Sequence, residues 1–329
     1  MSKLVTIYGG SGFVGRYVAR RMAKEGWRVR VAVRRPNEAM HVKPYGVPGQ
    51  VEPVLCNIRD DASVAAAMQG ADAVVNCVGI LNELGKNSFH TVHVEGAGRI
   101  ARLAAEQGVP TMVHVSAIGA DAGSDQEYSR TKAAGEAAVL RNMPGAMILR
   151  PSVVFGTEDN FFNRFAGYTR FGPVLPIAGG NSLFQPVFVD DVAKAAVQGI
   201  IGEAEGGVYE LGGPEVKSLR DLMDEMLAVI HRRRLVLSLP MLMARLMAFG
   251  FDMMQAASFQ LIANGVLTRD QLRGLKQDSV VSEGAKSFAE LDIRPMTLAS
   301  VLPDYLWKFR PSGQYDAITG SARNLRHDS

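Results

Sequence analysis

The sequence predicts an α/β protein, a doubly wound parallel sheet with a smaller mixed C-terminal lobe. Three observations predict it. Short apolar runs alternate with helical stretches from Leu4 to Pro151. The runs are continuously apolar instead of alternating, as strands covered on both faces are. A glycine triplet, Gly9, Gly12 and Gly15, sits at the first strand-to-helix turn. Strand–helix–strand order of this kind makes the strands parallel.

"LVTIY" (4–8) is the first strand, and the helix after "GGSGFVG" puts Val14, Val18 and Met22 on one face. "VRVAV" (29–33) is the second strand, "VEPVLC" (51–56) a weaker third and "AVVNCVG" (73–79) the fourth. A helix over about 91–107 leads to "MVHVS" (112–116), and a helix over 126–141 leads to "AMILRP" (146–151). Gly, Pro and Phe then dominate 156–187. "FQPVFVDDVAKAAVQGII" (184–201) restores a strand and a helix, and "GVYELGG" (207–213) a further strand. Residues 218–231 set Leu219, Leu222, Met223, Met226, Leu227 and Ile230 at helical spacing. The expected division is a core over 1–155, a lobe over 156–312 interleaved with it, and a polar tail over 313–329. The strand and helix near 184–201 are expected to rejoin the core.

The composition, 47% apolar and 21% charged, is that of a soluble globular chain. A net charge of +3 is too small to argue for nucleic acid as a partner. No uncharged apolar run reaches the roughly 18–20 residues of a membrane span. "MSKLVTIYGG" enters a strand within three residues, which leaves no room for a secretory signal, and it lacks the pattern of a transit peptide. Cys56 and Cys77, the only cysteines, lie in apolar runs and read as reduced core residues; no metal site is expected.

The triplet G-x-x-G-x-x-G points to a dinucleotide. Gly9 permits the tight turn, Gly12 lets a pyrophosphate approach the backbone, and Gly15 lets helix and strand pack closely. Ser11, Phe13 and Val14 complete the loop, whose helix N-terminus offers N–H groups to phosphate. An acidic residue at the end of the second strand would select NAD. Here "VAVRRP" places Arg34 and Arg35 there, and a guanidinium binds a ribose 2′-phosphate through paired hydrogen bonds. The expected cofactor is NADPH in preference to NAD, with Arg16 beside the anion; solvated surface arginines are the alternative. Asn57 and Ile58 are expected along the adenine, and Val78 and Gly79 along the nicotinamide half; Pro151 is a further expected cofactor contact.

"EYSRTKAAGE" places Tyr128 and Lys132 one helical turn apart. A nearby ammonium and an oxidised nicotinamide both favour the phenolate, which makes the pair a candidate acid–base couple at the ribose and nicotinamide. Ser116, at the end of the fifth strand, is the candidate polarising hydroxyl. Ala117, Ile118 and Gly119 follow where further hydroxyls would help, and Ser124 stands only four residues before Tyr128. The catalytic set therefore reads as incomplete.

On "GGSGFVG", "HVSAIGAD", "YSRTK", "ILRPSVVFG" and "PVFVDDVAKA" the chain resembles the extended short-chain dehydrogenase/reductase superfamily, with a Rossmann-type core. "HVSAIGADAGS", "YSRTKAAGE", "GVLTRDQLRGLKQDSVVS" and "LPDYLWKFR" resemble a narrower atypical branch, the NAD(P)-binding accessory subunits of respiratory complex I. The resemblance implies a tightly held structural NADPH, no turnover of its own, and docking on the peripheral arm among other complex I subunits near the membrane junction. It implies the cytoplasmic face of a bacterial inner membrane, or the matrix side for a processed mitochondrial chain. Gly9, Gly12, Gly15 and Arg34 match the cofactor motif, and Tyr128 and Lys132 the active-site pair. His93 stands where the superfamily usually has Asn.

In the lobe, basic "HRRR" (231–234) precedes "LVLSLPMLMARLMAFGFDMMQ" (235–255), with Met241, Met243, Met247, Met253 and Met254. The region reads either as a surface over 231–260 for a partner or lipid headgroups, or as a helical core segment. Two other readings of the whole stay open: an independent NADPH-dependent reductase or epimerase of a small carbonyl or sugar-type substrate, and a redox-sensing binder.

Overall fold

β1 (Leu4–Tyr8) buries all five of its side chains, as a strand between two helical layers must. A computed structural model describes residues 2–240, 242–243, 246, 249–250, 269–275 and 277–315. After β1, α1 (Phe13–Lys24) buries Gly15, Val18, Ala19, Met22 and Ala23 along one stripe. β2 (Arg28–Val33) and β3 (Val51–Leu55) flank a 3₁₀ segment, Pro36–Tyr45. α2 (Asp61–Met68) is capped by the Asp60 side chain, which accepts the Ser63 N–H. β4 (Ala73–Asn76) leads to a π-helical segment, His90–Gly96, continuous with α3 (Ala97–Glu106). β5 (Thr111–Val115), α4 (Glu127–Asn142) and β6 (Met147–Pro151) complete the first half.

These strands, with β11 (Gly207–Leu211), form one parallel sheet in the order β11-β6-β5-β4-β1-β2-β3. The order reverses between β1 and β4, and a crevice opens at the strands' C-terminal ends there. One face packs against α1 and α6 (Val189–Ile201) through Val18, Met22, Val192 and Ala196. The other packs against α2, α3 and α4 through Val64, Met68, Ile100 and Val139.

The lobe adds β7 (Val154–Phe155), α5 (Phe162–Tyr168), β8 (Val174–Ala178), β9 (Leu183–Phe184) and β10 (Val187–Phe188). β12 (Lys217–Ser218), α7 (Leu219–Val229), β13 (Leu235–Leu239), α8 (Arg269–Gly274) and α9 (Leu298–Leu306) follow. Phe155, Phe162, Leu175, Leu222, Met226 and Leu302 share its separate core. Arg21 ties α1 to α6 through a bidentate bond to Asp190, at 2.7 and 2.6 Å. A partly buried triad ties α4 to the sheet: Arg150 bonds to Glu136 at 2.6 Å and to Glu210 at 3.4 Å.

Two expectations change. The helix near 184–201 packs on α1, but its strand is split into β9 and β10, which pair with β12 and β7 outside the central sheet. Residues 235–239 are not helical: Leu235 and Leu237 face outward and Val236 inward, a period of two, and the strand pairs in parallel with β8. Of the five methionines only Met243 belongs to the described residues, half exposed at 51%. The tail beyond Tyr315 lies outside them. Among the described residues no helix is long and apolar enough to cross a membrane.

Candidate functional site

The glycine loop is shaped by contacts that forbid side chains. Gly9 sits at φ +74, and a Cβ there would press on the Cys77 backbone at 3.2 Å. A Cβ on Gly15 would overlap the Gly9 carbonyl and stand 2.7 Å from Gly10 Cα. Gly10, which sequence reasoning passed over, is held as tightly, 3.0 Å from the Ile7 carbonyl and from Val31. Gly12 is exposed and caps α1 with no side-chain bond. The N–H groups of Phe13, Val14 and Gly15 are therefore left without an acceptor among the described residues. This cradle fits a dinucleotide diphosphate.

At the end of β2, Arg34 is exposed and has no hydrogen bond or ion pair among the described residues. Arg35 is exposed too, but pairs with Glu38 at 3.0 Å. Arg16 differs from expectation. Its guanidinium bonds to the Ser11 carbonyl at 3.0 Å and pairs with Glu158 at 3.2 Å, so a carboxylate of the lobe already answers its charge. Tyr17 donates to the same carboxylate at 3.1 Å. Glu158 lies 142 residues from Arg16 in the chain, and no local signal marks it.

Asn57 is exposed at the end of β3, and its side-chain oxygen accepts the Arg59 N–H at 3.2 Å. Ile58 lies beneath Gly96, where a Cβ would stand 3.0 Å from it. Val78 is fixed after β4 by its N–H bond to the Asn76 side chain at 3.0 Å. Gly79 faces Lys132, with Nζ 3.5 Å from the position of a Cβ. Pro151 ends β6, and its carbonyl accepts the Ile118 N–H at 3.0 Å.

α4 has a buried face of unusual chemistry: Ser129, Thr131, Lys132, Gly135, Glu136 and Val139. The spacing is that of a core stripe, yet most of these side chains are polar. Gly135 allows the π-helical segment to lie against α4, since a Cβ there would overlap the His93 carbonyl. That contact sets His93 beside Tyr128, ring edge to ring face, with centroids 5.4 Å apart. His93 Nε2 accepts the Ile80 N–H at 3.1 Å, so Nδ1 carries the proton and donates to Thr131 Oγ1 at 3.2 Å. Burial, then the Lys132 charge, hold His93 down to about 3, and it stays neutral.

Lys132 Nζ donates to the Val115 carbonyl at 3.2 Å and lies 5.8 Å from the centre of the Tyr128 ring. Burial lowers its pKa to about 8, against the pull of Glu136. The Tyr128 phenol is pushed up to about 12 by burial. An ammonium and an oxidised nicotinamide would favour the phenolate, and burial opposes them. Ser116 is buried at the end of β5, and its Oγ has no partner among the described residues. The Tyr128 hydroxyl has none either. Ser124 Oγ accepts the Gln126 N–H at 3.1 Å, so it serves a turn.

Sequence reasoning also missed Asp270. Its carboxylate accepts the N–H of Glu127 at 2.8 Å and of Tyr128 at 3.2 Å, capping α4 from α8. The structure thus brings Tyr128, Lys132, Ser116 and Gly79 to one end of the crevice and the glycine loop and Arg34 to the other. A bound nicotinamide dinucleotide would supply a hydride here; Tyr128 and Ser116 could each hold a proton toward a substrate oxygen. No group of His, Cys, Asp and Glu among the described residues could hold a metal.

A sequence model of the "NAD dependent epimerase/dehydratase family" matches residues 5–212. The chain is 35% identical over 316 residues to the NADH dehydrogenase [ubiquinone] 1 alpha subcomplex subunit 9, mitochondrial, of Arabidopsis thaliana, covering 94% of this chain and 79% of that one. It is 29% identical to the NADH-ubiquinone oxidoreductase 40 kDa subunit, mitochondrial, of Neurospora crassa, covering 98% of this chain and 84% of that one. Among solved structures, the UDP-glucose 4-epimerase of Thermotoga maritima with UDP-glucose superposes with a TM-score of 0.69 at 14% identity, covering 93% of this chain and 98% of that one. At that identity the likeness is one of fold.

Proposed function

The chain belongs to the NAD dependent epimerase/dehydratase family, and within it we propose that it is an accessory subunit of respiratory complex I, NADH:ubiquinone oxidoreductase. In this reading it holds NADPH as a structural ligand and turns nothing over. The observation that carries the reading is the contrast within the crevice: an open nucleotide cradle beside a Tyr128 phenol that burial pushes up, away from neutral pH. Its relatives named as subunits of that enzyme supply the assembly. A dinucleotide present at a thousand times its Kd adds about 4 kcal/mol to folding, enough to make the ligand a structural part. Arg34 favours the 2′-phosphorylated form. The partners are other complex I subunits, and the site of action is peripheral to the membrane. That is the cytoplasmic face in a bacterium, or the matrix side in a mitochondrion. The basic turn 231–234 and the outward leucines beyond it would face lipid headgroups.

The test is made in native membranes. The chain should comigrate with a large NADH-oxidising complex, and Tyr128→Phe should leave ubiquinone reduction unchanged. A chain that migrates alone, oxidises NADPH with a carbonyl substrate and stops on Tyr128→Phe would overturn the proposal. That result belongs to the second reading, an independent reductase or epimerase, which is favoured by the buried Ser116 hydroxyl, unpartnered among the described residues.

A further inference from the structure

The end of α7 carries more positive charge than the carboxylates beside it among the described residues answer. The helix closes in a Schellman-type turn, His231 N–H to Ala228 O at 3.2 Å and Arg232 N–H to Leu227 O at 3.1 Å. His231 occupies the left-handed position at φ 53, where glycine is the ordinary choice. One cation there suffices to meet the helix dipole. Instead Arg232, Arg233 and Arg234 follow in a row and line one open cavity of about 840 Å³. Among the described residues Asp224 is the one carboxylate that lines it with them, and Leu227, Ala228 and Leu235 form its apolar wall.

Where these guanidinium groups bond, they bond to backbone carbonyls. Arg232 Nε donates to Phe309 O at 2.8 Å, and Arg234 Nε to Thr169 O at 3.0 Å. The Arg233 side chain is exposed and has no partner among the described residues. Burial, then the charges of Arg234 and Arg170, hold Arg232 below the ordinary arginine range. Three cations face one carboxylate, two of them already oriented by their carbonyl bonds. Planar groups with several N–H donors, so arranged, suit the oxygens of a phosphate. Next to the cavity Leu235 and Leu237 are 64% and 47% exposed, and Leu242 and Leu246 beyond them 70% and 66%.

We propose that the cavity at the end of α7 is a second anion site, separate from the dinucleotide crevice, that binds a phosphate mono- or diester group. The outward leucines favour a phosphate borne on a lipid over one on a small soluble molecule. The site rests on the headgroup contact proposed above only for the source of its phosphate; a soluble reductase with this turn would carry the same cavity.

The full chain, saturated with NADPH so that the crevice is filled, is titrated with inorganic pyrophosphate. Separately it is floated with phosphatidylcholine vesicles with and without phosphatidic acid. Arg233→Gln is the diagnostic variant, because that side chain supports no other bond. The expected result is binding to at least one probe, weakened about tenfold or more in the variant. Vesicle binding with no pyrophosphate binding assigns the lipid source, and pyrophosphate binding assigns a soluble one. NADPH occupancy and comigration with the complex should not change in Arg233→Gln, so the accessory role and this site fail separately. Binding to neither probe, or a variant that binds like the wild type, overturns the proposal.

Discussion

At one end of the crevice Arg34 is exposed and unpaired among the described residues, and three helix N–H groups lack acceptors there. At the other end Lys132 is buried with Nζ on a backbone carbonyl, and the His93 lone pair already holds the Ile80 N–H. The two ends lie on one sheet edge and differ in solvation. Groups meant to grip an anion stay in water until it arrives. Burial disfavours charge, and here it moves Lys132 down to about 8, toward neutral pH, while it moves the half-buried Tyr128 up to about 12, away from it. A general acid or base works best with a pKa near the operating pH. The lesson is that an intact motif and a tuned motif are different things.

The largest test attacks the nucleotide end. Gly15→Ala would force a methyl into the Gly9 carbonyl. A loss of about 4 kcal/mol in folding stability, with nucleotide binding abolished, is expected from thermal melting with and without NADPH. Near-normal binding would show that the loop can yield.

The next tests attack the chemistry end. Lys132 has its folded pKa lowered from 10.5 to about 8, so the unfolded chain binds more protons between those values. Its contribution to stability is complete above 10.5 and is lost as pH falls toward 8. Lys132→Met should therefore stabilise the nucleotide-free chain by roughly 3 kcal/mol at pH 7 and by little at pH 10.5, read from urea midpoints. Destabilisation at pH 7 would mean that the ammonium is better solvated than the structure shows. His93 follows the same rule in acid. Its folded pKa is held down from 6.5 to about 3, so stability is present above 6.5 and is lost as pH falls toward 3. His93→Gln should remove roughly 2 kcal/mol of the loss between pH 6.5 and 5. An unchanged acid limb would place that loss elsewhere.

The smallest test joins the regions. Asp270→Asn weakens the cap that α8 places on α4. A cost of about 1 kcal/mol is expected, with NADPH affinity unchanged. A larger loss of affinity would show that the lobe also positions the nucleotide.

The central sheet was legible because its strands are continuous apolar runs, and the glycine loop because three fixed glycines sit at one turn. Tyr128 and Lys132 were legible as a pair at helical spacing. Their electrostatics were not, because burial depends on Phe89, His93 and α8 closing over them from distant parts of the chain. Glu158 acts on Arg16 across 142 residues and Asp270 on α4 across 142 and 143, and nothing local announces them. β13 was misread because "LVLSL" offers apolar residues to either period, and pairing with β8 decides the matter.

The most direct measurement is the Kd of NADPH and of NADH for the wild type, Arg34→Ala and Tyr128→Phe. The account predicts that the wild type binds NADPH more tightly. Arg34→Ala should lose about 10–100-fold for NADPH and under about twofold for NADH, and Tyr128→Phe should hold both within about twofold. Equal losses for the two nucleotides in Arg34→Ala, or a wild type that binds NADH as tightly as NADPH, would contradict it.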